Sequence, residues 1–83
     1  MSPKNYYYYL DRGIAKSIFG DTLGAIDDYT IAIQINPEFK AAYANRGSSR
    51  VKLLDLKGAC SDWRKAADLD LFGHILEWIR NQC

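Results

Sequence analysis

Residues 9–32, YLDRGIAKSIFGDTLGAIDDYTIA, and residues 43–66, YANRGSSRVKLLDLKGACSDWRKA, share one pattern. Tyr9, Arg12, Gly13, Asp21, Gly24, Ala25, Asp28 and Ala32 recur as Tyr43, Arg46, Gly47, Asp55, Gly58, Ala59, Asp62 and Ala66, each at a step of 34 residues. A fixed step of ~20–50 residues marks a solenoid, in which each unit buries its apolar face against its neighbour. Solenoids present extended surfaces for holding other molecules, so the pattern points to a binding scaffold without naming what it binds.

Outward from the repeat, the local signals are helical. Ser2-Pro3 reads as a helix start, with Ser as N-cap and Pro in the first turn. The spacing predicts a helix over residues 4–19, stopped by Gly20, and a second over 22–35 capped by Asp21. Ala25, Tyr29, Ala32 and Ile33 form its inward stripe. Asn36-Pro37 repeats the start signal and predicts a third helix reaching about residue 54. Asp55 opens a fourth, with Ala59, Trp63, Ala66 and Ala67 inward, and Asp70 separates it from a last helix over 71–82. No segment has the two-residue period of a strand. The connections are short, so consecutive helices are expected to be antiparallel neighbours.

The repeated residue types follow from helices crossing closely. Glycine inside a helix costs ~1 kcal/mol against alanine, so Gly13 and Gly47 need a packing reason. Small Ala25 and Ala59 serve the crossing from the opposite helix. Tyr9 with Tyr29, and Tyr43 with Trp63, fill the space beside these contacts, while Ala32 and Ala66 permit close approach further along.

The chain resembles the tetratricopeptide repeat, a helix–turn–helix unit of 34 residues. The first copy carries Tyr9, Arg12-Gly13, Ala25-x3-Tyr29, Ala32 and Pro37; the second carries Tyr43, Arg46-Gly47, Ala59-x3-Trp63 and Ala66. The wording Asn45-Arg46-Gly47 is similar to bacterial members. Leu71 stands where a second Pro37 would be, and Arg replaces the usual Leu before both glycines. Glu77 and Asn81 replace the aromatic and glycine of a third copy, so the last helix resembles the family's solvating cap. The resemblance implies an all-α, α-α superhelix of helical hairpins. Residues 1–83 are then one domain: repeat one over 6–39, repeat two over 40–73 and a capping helix over 71–83.

The family implies a protein that binds other proteins, with the first helix of each repeat lining a concave groove. On this sequence the peptide-binding candidates are Tyr7, Leu10, Asp11, Ile14, Asn45, Ser48 and Lys52, beside Ile18, Ala41, Ala44 and Val51. Some members grip a chaperone's C-terminal carboxylate with Lys, Asn and Arg. Only Asn45 matches that cluster, since Leu10 and Ile14 stand at the other positions, so the chaperone-tail reading is rejected. An alternative is self-assembly through Tyr6–Tyr9, or through acidic and basic ends. A third reading, single-stranded RNA binding, needs a basic groove, and Leu10, Asp11 and Ile14 argue against one.

Composition sets the outer limits. With 83 residues, 48% apolar and 25% charged, the chain is that of an ordinary globular domain. No run approaches the ~18 apolar residues of a membrane span, and the start lacks the flanks of a signal peptide, so a cytoplasmic protein is expected. The net charge of +1 gives no global attraction to nucleic acid, although residues 1–39 carry −2 and residues 40–83 carry +3. Cys60 reads as a small buried reduced thiol and Cys83 as a frayed end. His74 has no convincing metal partners, Asp27-Asp28 diverge by ~100° on a helix and read as a solvated face, and no phosphate loop or nucleophile elbow occurs. The sequence therefore predicts no enzyme, no cofactor and no metal.

Overall fold

The computed structural model describes residues 5–70 as four helices: α1 (Tyr6–Ile18), α2 (Thr22–Ile35), α3 (Lys40–Lys52) and α4 (Leu56–Asp68). No strand occurs among the described residues. α1 pairs with α2 and α3 with α4, and α2 packs on α3 to join the two hairpins, giving the expected all-α stack of helical hairpins. The Ser2-Pro3 start signal, the last helix with its cap role, and His74 lie outside the described residues.

Caps explain three of the four helix starts. Asp21 accepts from the Gly24 backbone N–H at 2.9 Å, and Asp55 from Gly58 at 3.0 Å, as the repeat predicts. α1 is capped by Asn5, whose side chain accepts from the Tyr8 N–H at 3.3 Å. The third start is corrected. Asn36 ends α2, and its side chain accepts from the Glu38 N–H at 3.2 Å. That local turn uses the oxygen that would have capped a helix at Pro37. α3 therefore begins at Lys40, after Phe39, and Pro37 sits in the connection with its carbonyl accepting from the Tyr43 hydroxyl at 2.9 Å.

The crossing of each hairpin is a glycine notch filled by a ring. A Cβ at Gly13 would come within 2.6 Å of the Tyr29 ring, and one at Gly47 within 2.6 Å of the Trp63 indole. Ala25, Ala32, Ala59 and Ala66 are wholly buried, as close helix approach requires. Tyr29 is buried, whereas Trp63 is only half-buried, with its indole N–H directed at the Ala44 carbonyl at 3.4 Å. Leu10, Ala25, Tyr29, Ala32, Phe39 and Ala42 form the core cluster, with Tyr9 packed against it.

Asp28 is not on a solvated face. It is buried, and Arg12 grips its two carboxylate oxygens at 2.7 and 2.9 Å, with Lys16 at 3.2 Å. The second hairpin repeats the clamp: Arg46 holds buried Asp62 at 2.7 and 2.9 Å, and Arg50 adds a contact at 2.8 Å. Arg46 also donates to Thr30 of α2 at 3.1 Å, tying the hairpins together. These are bidentate, charge-assisted bonds on carboxylates with little solvent of their own.

Burial opposes ionisation of Asp28, but the hydrogen bonds from Arg12 and Lys16 outweigh it and hold the carboxyl below the usual carboxylate range. A depressed folded pKa contributes stability above the unfolded value of about 4, and this is lost as the pH falls through the folded value. Urea denaturation at a series of pH values is thus expected to give an unfolding free energy that is level near neutrality and drops below about pH 4. A level profile continuing to about pH 2 would contradict the clamp.

Cys60 corrects another expectation. It is half-buried and disulfide-bonded, not a reduced thiol. Its oxidation state depends on the thiol that meets it, which its helix neighbours Ala59 and Ser61 do not reveal. The other cysteine of the sequence, Cys83, lies outside the described residues. No described helix is long and apolar enough to cross a membrane.

Candidate functional site

α1 and α3 are the first helices of the two hairpins, and they touch each other less than either touches its hairpin partner. Lys52 at the end of α3 donates to the Ser17 hydroxyl near the end of α1 at 3.1 Å. On each helix a stripe spaced by four, three and four residues is exposed or half-buried. On α1 it is Tyr7, Asp11, Ile14 and Ile18; on α3 it is Ala41, Asn45, Ser48 and Lys52. Each α3 member stands 34 residues after its α1 counterpart, so the repeat lays the stripes side by side.

Six of the seven candidate groove residues belong to these stripes. Tyr7, Asp11, Ile14, Ser48 and Lys52 are exposed, and Asn45 is half-buried. Leu10 does not line the face. It is buried in the core cluster with Tyr29 and Phe39, because it lies one residue from the stripe and turns toward α2.

The polar members are held in place. Asn45 donates to the Ala41 carbonyl at 2.9 Å, which orients the amide and leaves its oxygen as an acceptor. Ser48 donates to the Ala44 carbonyl at 3.2 Å. The Tyr7 ring is set against Phe39, edge-on at 5.1 Å between centroids. The α1 side is apolar and acidic, while the α3 side carries an amide, a hydroxyl and an ammonium group. Such a face can take apolar side chains on Tyr7 and Ile14, and can bond a peptide's backbone or carboxylates through Asn45, Ser48 and Lys52. No cluster of three His, Cys, Asp or Glu suited to a metal ion occurs among the described residues.

The tyrosine run is engaged within the chain. Tyr6 packs edge-on against Phe39 at 4.8 Å, and Tyr8 and Tyr9 stack at 5.1 Å. The Arg12 guanidinium lies over both stacked rings and donates to the Tyr8 hydroxyl at 3.1 Å. Tyr8 thus gives Arg12 an acceptor within α1, where Arg46 takes one from Thr30 of the neighbouring hairpin. Sequence reasoning missed this Arg–Asp architecture, although its signal was present: Arg12, Asp28, Arg46 and Asp62 are all repeat positions.

Comparison with known proteins gives relatives in animals. The chain is 43% identical over 47 residues to RNA polymerase II-associated protein 3 of Xenopus tropicalis, a stretch covering 57% of this chain and 7% of that protein. It is 31% identical over 80 residues to Hsc70-interacting protein 1 of Drosophila melanogaster, covering 96% of this chain and 21% of that protein. The chain thus spans about a fifth or less of the length of these relatives, which are tetratricopeptide-repeat proteins. No protein-family profile matches the chain.

Proposed function

We propose that this chain is a tetratricopeptide-repeat protein that acts as a non-catalytic scaffold, holding a peptide segment of another protein on the face shared by α1 and α3. The observation that carries the reading is the pairing of Tyr7, Asp11 and Ile14 with Asn45, Ser48 and Lys52 on a stack held by two Arg–Asp clamps. Rigid placement favours peptide capture because little of the receptor must be ordered on binding. The Asn45-Arg46-Gly47 wording supports a bacterial-type member.

The Drosophila relative is named for interaction with Hsc70. In this chain, Asn45 and Lys52 offer one polar cluster, but Ile14 is apolar and Leu10 is buried, which favours a partner with apolar side chains over a clamped chain terminus. A cytoplasmic location is the counterpart of this reading, and the disulfide at Cys60 argues for a more oxidising compartment. Acid-quenched thiol labelling decides between them: a labelled Cys60 supports the cytoplasm, and an unlabelled one does not.

The test of the binding face is calorimetry with a peptide selected from a random displayed library against the whole chain. Asn45→Ala combined with Lys52→Ala is expected to weaken that peptide by at least about tenfold, or ~1.4 kcal/mol, with unchanged helical circular dichroism. Equal affinity for the double variant would remove this face from the binding site.

A further inference from the structure

We propose that the edge of the stack formed by the α1–α2 and α3–α4 turns is a self-association surface, on which two copies of this chain pair antiparallel about a two-fold axis. The Lys52–Ser17 hydrogen bond brings the ends of α3 and α1 together, so the two turns lie side by side. They carry Ile18, Phe19 and Leu23 on the first and Leu53, Leu54 and Leu56 on the second, all 45–88% exposed. Large apolar side chains gathered in this way at one edge mark an interaction surface, whereas exposed ones scattered singly do not. At the α2–α3 turn, by contrast, the large apolar residue is Phe39, and it is buried.

Leu54 is a second, independent observation. Its φ is 62°, in the left-handed region, at the repeat position where the first hairpin has Gly20 with a φ of 88°. That backbone disfavours every side chain with a Cβ, and glycine adopts it freely. Leu54 is 83% exposed, so its side chain contributes little to the chain's own core. Strain kept for a side chain in solvent points to a contact outside the chain.

Charge selects a second copy and its direction. Residues 5–39 carry two basic and five acidic side chains, whereas residues 40–70 carry seven basic and four acidic ones. An antiparallel two-fold sets the acidic hairpin of each copy against the basic hairpin of the other, twice over, while a parallel pairing sets like against like. Tyr7 lies at the far end of α1 from Ile18, so the pairing leaves that part of the binding face open.

Sedimentation velocity on the whole chain tests the proposal. From low to high micromolar concentration, the mass is expected to rise from the 9.5 kDa of one chain toward twice that value. Phe19→Asp and Leu54→Gly are each expected to raise the dissociation constant at least about tenfold. Leu54→Gly should leave the melting midpoint of the dilute monomer unchanged or higher, because glycine accepts the backbone. Tyr8→Ala should leave association unchanged, separating this edge from the tyrosine run. A monomer at every concentration overturns the proposal, as does association that survives both edge substitutions. A monomer that co-sediments with phosphatidylglycerol vesicles, and loses this with Phe19→Asp, overturns it in favour of a lipid surface.

Discussion

Gly13→Ala is expected to lower the melting midpoint by about 10 °C or more, against the ordinary rule that alanine improves a helix. The substitution gains ~1 kcal/mol of helix propensity. Against this, the new Cβ would meet Tyr29 ring atoms at 2.6, 2.9 and 3.2 Å. Tyr29 is 2% exposed and hemmed by wholly buried Ala25 and Ala32, so the ring has nowhere to go. Overpacking of this kind costs about 1–3 kcal/mol and occasionally more, and the absence of relief places Gly13 at the upper end. Gly47→Ala makes a similar clash, at 2.6 Å from the Trp63 indole nitrogen, which donates to the Ala44 carbonyl, and Gly47→Leu is expected to disrupt the packing further. Thermal denaturation checks both glycines; an unchanged or raised midpoint for Gly13→Ala would mean that the notch is not the fit the structure shows.

Asp62→Ala is expected to destabilise by about 3 kcal/mol or more, out of a total of ~4–12 kcal/mol for a chain of this length. The loss exceeds that of a surface ion pair, which is typically ~0–1 kcal/mol. Asp62 is buried and answers two guanidinium groups, Arg46 at 2.7 Å and Arg50 at 2.8 Å. Removing it leaves two cations facing each other, with the Arg46 side chain only 14% exposed. Arg46 would also lose its anchor while still reaching Thr30 across the joint between the hairpins. A double-mutant cycle with Arg46→Met separates the pair from the stranded charge: the double variant should recover much of the loss. A loss under about 1 kcal/mol for Asp62→Ala would class the clamp with ordinary exposed pairs.

These two variants also mark where the sequence was legible and where it was not. Gly13 and Gly47 could be read because a glycine in mid-helix is costly and invites one explanation, which Tyr29 and Trp63 supply. Asp21 and Asp55 could be read because a cap acts on its own helix, three residues away. Asp28 could not, since a charged residue beside Asp27 looks solvated until Arg12, sixteen residues away on another helix, is placed against it. Leu10 was misplaced for a smaller reason: it sits next to the stripe, and a rotation of one residue decides between core and face. Asn36-Pro37 carried a helix-start signal that the Asn36 side chain redirects into a turn. The left-handed backbone of Leu54 had no residue-type signal at all, and only comparison with Gly20 gives it meaning.

The central claim is that a peptide lies along the α1–α3 face. The most direct measurement is the map of backbone amide NMR shifts as the library-selected peptide is added to the labelled chain. The account predicts the largest shifts at Tyr7, Asp11, Ile14, Asn45, Ser48 and Lys52. Shifts confined to α2 and α4, or to the turn edge around Phe19 and Leu54, would contradict it.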